Sequence, residues 1–187
     1  MAEKKTIKIT TPLTDAAARS LKAGDSVRIT GPIFTARDAA HKRLTETLAQ
    51  GGKLPFDIKG QIIYYVGPSP AKPGQPIGSA GPTTSGRMDK YSPELLRLGM
   101  KGMIGKGSRA QEVIDAIKRY GAVYFAAIGG AAALIAQRVK SYRVVDYEDL
   151  ASEALAEMIV EDFPAIVVID SEGNDYYKIG FKKYCRE

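Results

Sequence analysis

Cysteine and histidine are almost missing from this chain, with one of each in 187 residues, and tryptophan is absent. A lone cysteine, Cys185, excludes a disulfide framework. It also excludes any thiolate zinc site or iron–sulfur cluster ligated by this chain alone, since those need several cysteines. With only His41, a multi-histidine metal site is equally out of reach, so no metal ligands are expected here. Long apolar runs are missing too. The apolar stretch Ala122 to Ala136, which lies within the longest uncharged run, is too short for a bilayer and is interrupted by Gly129-Gly130, so it reads as strand, turn and helix. The first residues, Met1-Ala2-Glu3-Lys4-Lys5-Thr6-Ile7, lack the apolar core of a signal peptide. The expectation is a soluble cytoplasmic protein with no membrane partner.

The chain does have enough apolar material, 44%, to bury a substantial core as one domain over residues 1–187. Twenty-seven basic against 21 acidic residues leave a net charge of +6. The excess is scattered, with Lys4, Lys5 and Lys8 at one end and Lys182, Lys183 and Arg186 at the other. It gathers on no one element and accompanies no nucleic-acid motif, so anionic ligands are a better match than nucleic acid.

Periodicity divides the chain into alternating elements. Lys5–Thr10, Ser26–Phe34, Ile58–Val66, Met100–Ile104, Ala122–Ile128, Tyr142–Asp146 and Ala165–Asp170 read as strands. Helices are expected at Asp15–Leu21, from Thr35 to Gln50, at Ser92–Leu98 behind Pro93, and at Ser108–Tyr120, Gly130–Lys140 and Leu150–Val160. Thr35-Ala36-Arg37-Asp38 has the form of a capping box. Asp175–Ile179 should close a terminal hairpin across Ser171-Glu172-Gly173-Asn174. Strands alternating with helices imply βαβ units, an α/β fold and a sheet that is at least partly parallel.

Two stretches carry chemistry. Gly78 to Asp89 is a loop of small residues and hydroxyls ending in Arg87, too poor in large apolar side chains to be core. Gly105-Lys106-Gly107 joins an apolar strand to a helix, and the unpaired amides at a helix start make a seat for a carboxylate or phosphate beside Lys106. Gly105 to Ala110 also fits Gly-x-Gly-x-x-Ala, but the acidic residue that a dinucleotide site needs about 20 positions on is replaced by an apolar run. A Walker-A loop fails because Gly107 stands where Ser or Thr belongs. Thr83, Thr84 and Ser85 are either turn hydroxyls bonding their own backbone or proton-transfer groups, and the latter need an activator that this loop lacks. Arg37, at a helix start, opposes the helix dipole unless an anion is near.

The successive motifs Gly31-Pro32-Ile33-Phe34-Thr35-Ala36-Arg37-Asp38-Ala39-Ala40-His41-Lys42-Arg43, Gly67-Pro68, Gly81-Pro82-Thr83-Thr84-Ser85-Gly86-Arg87-Met88-Asp89, Met103-Ile104-Gly105-Lys106-Gly107 and Gly129-Gly130-Ala131-Ala132 resemble the β subunit, or C-terminal domain, of class I iron–sulfur fumarate hydratases and the related L-tartrate dehydratases. That resemblance implies a swivelling β/β/α domain with a mixed sheet and flanking helices. It would close over an iron–sulfur (4Fe-4S) cluster held by cysteines of a partner α subunit. It also implies that Arg37, Arg87 and Lys106 bind the carboxylates of a C4 dicarboxylate. Thr83 would be the acid/base group, working with an aspartate of the α subunit. Two arginines able to grip carboxylates bidentately, with a lysine, suit such a substrate. Fumarate/malate and tartrate chemistry both remain open at this point, as does a non-catalytic anion-binding module.

Overall fold

The computed structural model describes residues 6–128, 130–183 and 185. Lys4, Lys5, Gly129 and Arg186, which entered the reading above, lie outside them. The strands are β1 (Ile7–Thr10), β2 (Ser26–Thr35), β3 (Ile62–Tyr64), β4 (Gly102–Gly105), β5 (Val123–Ala126), β6 (Val139–Asp146) and β7 (Leu155–Ile169). The helices are α1 (Asp15–Ser20), α2 (Asp38–Ala49), α3 (Ser92–Arg97), α4 (Gln111–Tyr120), α5 (Ala132–Ala136) and α6 (Tyr176–Ile179), with short 3-10 turns at Ser85–Met88, Glu148–Glu153 and Phe181–Lys183.

β1 to β5 pair in parallel in the order β1-β2-β3-β4-β5, as βαβ connections require. β7 makes the sheet mixed. It runs antiparallel along the length of β2, from Ser26 opposite Ile166 to Thr35 opposite Ala156. Along its other side it pairs with β6 and then with β5, both antiparallel. The pairings β2-β3-β4-β5-β7-β2 therefore close into a circuit.

The alternation of side chains then builds two cores. Ile62, Tyr64, Ile104, Val123 and Phe125 meet Val27, Ile29, Phe163 and Val167 across the circuit. Their neighbours Ile63, Tyr65, Met103 and Tyr124 face outward and are covered by Leu44 of α2, Leu95 and Leu96 of α3, and Val113, Ile114 and Ile117 of α4. Strand layer, strand layer and helix layer follow one another, the β/β/α order.

Several boundaries differ from expectation. Leu150–Val160 is not a helix: Glu148–Glu153 is a 3-10 turn and β7 starts at Leu155. The segment is rich in helix formers, but pairing with β2 and β6 at once outweighs propensity and buries Leu155, Ala156, Met158 and Val160. Of the terminal hairpin only the Ile169–Asp175 bridge forms, because the Asp175 carboxylate accepts from the Tyr177 amide at 3.0 Å and caps α6. Helix α5 stops at Ala136 and β6 begins at Val139, while α4 begins at Gln111 rather than Ser108.

Candidate active site

Because β2 to β5 are parallel, their carboxyl ends share one edge of the sheet, where α/β folds place ligands. β2 runs into Ala36-Arg37, β3 into Tyr65-Val66-Gly67, and β4 into Lys106-Gly107. The small-residue loop returns along this edge. The Ala80 amide donates to the Ala132 carbonyl at 3.1 Å, Thr83 to Tyr65 at 2.8 Å and Ser85 to Lys106 at 2.9 Å, and Thr84 forms a parallel bridge with Lys106. The loop therefore continues the sheet past the ends of β3 and β4. Thr83 is half-buried, while Arg87 and Lys106 are exposed. No hydrogen bond or ion pair occupies either cationic head among the described residues.

Arg37 is the N-cap residue of α2, with extended backbone, one position ahead of the first turn. Thr35 is the last residue of β2, so the expected capping box does not form. The Arg37 side chain lies against Gly67, where a Cβ would come within 3.2 Å of both Cδ and Nη1, a tight approach that the glycine avoids. Its Nη2 reaches the Glu153 carboxylate at 3.1 Å. Behind it, His41 is fully buried and its Nδ1–H donates to the Arg37 carbonyl at 2.8 Å. The tautomer is thereby fixed, and Nε2 is left as a buried acceptor without a partner. Burial holds the imidazole's pKa down at about 4, only partly offset by the bond to Arg37, with nearby Arg109 lowering it further.

The helix-start anion seat beside Lys106 is already filled. Asp89 Oδ2 accepts from the Ala110 amide, the N-cap of α4, at 2.7 Å. Its other oxygen accepts from Arg109 Nε at 2.6 Å, and the Arg109 side chain is completely buried. Arg109 Nη2 donates to Ser92 Oγ at 2.8 Å, and its guanidinium lies 5.4 and 5.0 Å from the Tyr65 and Tyr124 ring centroids. Tyr124 donates to the Gly107 carbonyl at 2.8 Å, which leaves Ser85 Oγ to donate to the Tyr124 oxygen at 2.9 Å. The loop bearing Thr83 and Arg87 is thus riveted to the loop bearing Lys106. What remains open to a ligand is side chains at one strand edge: two unpaired cations and a hydroxyl, with Arg37 at the end of β2. A cavity of about 590 Å³ lies elsewhere, between the proline-rich loop and α5, lined by Ser69, Ile77 and Ala136 among others.

The family model described as Fumarase C-terminus matches residues 1–180. The chain belongs to the fumarase C-terminus family. Among curated relatives of this fumarase-type domain, the anaerobic class I fumarate hydratase of Escherichia coli K12 is 44% identical over 160 residues, 84% of this chain and 29% of that protein. The mitochondrial fumarate hydratase 1 of Leishmania major is 42% identical over 153 residues, 80% of this chain and 28% of that protein. A Methanocaldococcus jannaschii protein provisionally named L(+)-tartrate dehydratase subunit beta is 41% identical over 177 residues, 91% of each chain. The domain therefore spans less than a third of these two fumarate hydratases, and nearly all of the tartrate dehydratase subunit.

Three residues of this fumarase-type domain escaped the sequence reading. Asp89 stands only as the end of a motif in the sequence, and Arg109 only as an unspecified position of the Gly-x-Gly-x-x-Ala pattern. Glu153 fell in a segment assigned to a helix. Spacing offers no signal for them, since Asp89 and Arg109 are joined only through the fold and Glu153 is brought to Arg37 by the antiparallel pairing that sets Thr35 opposite Ala156. Among the described residues, no group of three or more His, Cys, Asp or Glu side chains could hold a metal, and no helix is long and apolar enough to cross a membrane.

Proposed function

We propose that this domain is the β portion of a hydro-lyase that interconverts (S)-malate and fumarate plus water, and that it works only when joined to an α subunit. The observation that carries the reading is the loop laid along the strand edge, which sets Thr83, Arg87 and Lys106 on adjacent backbone segments tied by the Thr83–Tyr65 and Ser85–Lys106 bonds. Arg37, Arg87 and Lys106 bind the two carboxylates of the substrate and hold its carbon skeleton in place. Thr83 hands a proton to, or takes one from, the carbon next to the reacting C–O bond, with a carboxylate of the partner as its activator.

This chain's own residues do not fit a 4Fe-4S cluster: its one cysteine, Cys185, cannot make a cluster ligand set. Such a cluster would belong to the α subunit, and this domain's share is binding, orientation and proton movement. Swivelling of the domain over the partner would exclude water and strengthen each charged contact. The relatives named fumarate hydratase support this activity.

The chain alone is expected to be colourless and inactive, and to gain fumarate hydration when combined with a cluster-bearing partner. Thr83→Ala in that complex should lower kcat by about 10²- to 10⁴-fold with assembly unchanged; normal turnover would remove Thr83 from the mechanism. L-tartrate dehydration is the second reading, favoured by the relative named as a tartrate dehydratase subunit, whose whole length this chain nearly spans. Rates with fumarate, malate and tartrate measured side by side decide between them.

A further inference from the structure

We propose that Glu153 is the positioning residue of Arg37, holding its guanidinium in the orientation in which it meets a substrate carboxylate; this rests on the hydro-lyase reading above. Four observations converge on it. Glu153 Oε1 lies 3.1 Å from Arg37 Nη2, with each side chain only about a quarter exposed (26% and 23%). Glu153 Oε2 accepts from the Ala39 amide at 3.4 Å, in the first turn of α2, so the carboxylate is anchored at a helix N-terminus instead of swinging free. A Cβ built on Gly67 would meet the Ser152 carbonyl at 3.0 Å and the Arg37 side chain at 3.2 Å, so Gly67 is clasped between the arginine and the residue just before Glu153.

The fourth observation is the backbone that delivers Glu153. Ala151 has φ 51° and ψ −117°, a conformation that a residue with a Cβ rarely adopts and that persists only where surrounding structure enforces it. The strained step turns the chain so that Ser152 and Glu153 reach Gly67 and Arg37 immediately before β7 begins. Arg37 is then fixed along its whole length: by His41 at its carbonyl, by Gly67 along its stem and by Glu153 at its head. Arg37 Nε is buried with no hydrogen-bond partner, and the Asp38 carboxylate is 3.8 Å away, too far to bond it. Glu153 is therefore the group that sets the angle of the fork.

A fixed fork recognises a planar carboxylate; a loose one must lose rotamer freedom each time it binds. Glu153→Ala should raise KM for the dicarboxylate by roughly three- to tenfold, the scale of one partly buried ion pair, with kcat within about twofold. Glu153→Gln keeps an oxygen facing Arg37 and should recover part of the loss. In an Arg37→Ala background, Glu153→Ala should add nothing, because the residue it orients is gone. An independent additive effect, or parallel losses of kcat and thermal stability, would make Glu153 merely structural. A lower KM would make it a competitor of the substrate, and either result overturns the proposal.

Crystal structures of the full chain and of its Glu153→Ala variant, or Glu153→Gln should the alanine form not fold, decide the point without any turnover. Arg37 should leave Gly67 in the variant, and an unmoved Arg37 sinks the idea. If the wild-type complex hydrates no fumarate and dehydrates no tartrate, the hydro-lyase reading fails, and this crystallographic comparison still tests Glu153.

Discussion

His41 makes the stability of this domain sensitive to acid in a way that can be calculated. Its Nδ1–H is committed to the Arg37 carbonyl, so a second proton would go to Nε2, which is buried and has no acceptor to receive its bond. Burial, followed by the proximity of Arg109, accounts for a folded-state pKa of about 4 against 6.5 for a free imidazole. The folded state keeps this histidine neutral while the unfolded chain takes up a proton below 6.5. The contribution is therefore complete above pH 6.5 and is lost as the pH falls through 6.5 towards 4. Linkage gives a loss of about 2.5 kcal/mol by pH 4.5 from this one group.

Urea unfolding at several pH values between about 7.5 and 4.5, followed by circular dichroism because no tryptophan is present, measures it. His41→Asn places an amide donor near the position of Nδ1 and removes the titration. The variant starts from a lower stability, but its stability should fall less steeply with acid than that of the wild type, and the gap between the two should shrink by about 2.5 kcal/mol at pH 4.5. Carboxylates common to both proteins cancel in the difference. Parallel pH profiles would refute the buried neutral imidazole.

The rivet between the two loops gives two further expectations. Arg109→Ala strands the Asp89 carboxylate, which is only 17% exposed, and should cost about 3–5 kcal/mol in urea unfolding; Asp89→Asn in the same chain should return part of it, and a cost under about 1 kcal/mol would mean the pair holds nothing. At Gly105 an added Cβ would come within 2.0 Å of Ser85 Oγ but 3.3 Å from Ser85 Cβ, so Gly105→Ala should destabilise by about 1–3 kcal/mol and Ser85→Ala should relieve much of the clash. Equal melting temperatures for Gly105→Ala with and without Ser85→Ala would contradict the packing.

Where local periodicity agreed with tertiary pairing, the sequence was readable. The strand expected over Ile58–Val66 exists but pairs only as Ile62–Tyr64, with Ile62-Ile63-Tyr64-Tyr65-Val66 alternating between the two cores, and α4 ends at Gly121 in the left-handed conformation that its glycine allows. The motif stretches converged on one strand edge because the strands that carry them are parallel. The last part of β7 was legible as the strand Ala165–Asp170, but its first half was hidden, since it is built from helix-favouring residues and becomes a strand only through neighbours remote in sequence. The helix-start seat next to Lys106 misled for the opposite reason. Its electrostatics were inferred correctly, but the anion that fills it is Asp89, drawn from a loop whose position no local rule specifies.

Because β2 is flanked along its full length by β7, the strand circuit cannot shut until Leu155–Ile169, far downstream of β2, has been synthesised. Contacts so distant in sequence raise contact order and slow folding. On the ribosome, β2 and β5 wait with bare edges open to pairing with other chains. A protein truncated ahead of Leu155 would keep every residue of the Thr83 loop and still be unable to hold it in place, which makes aggregation its expected fate.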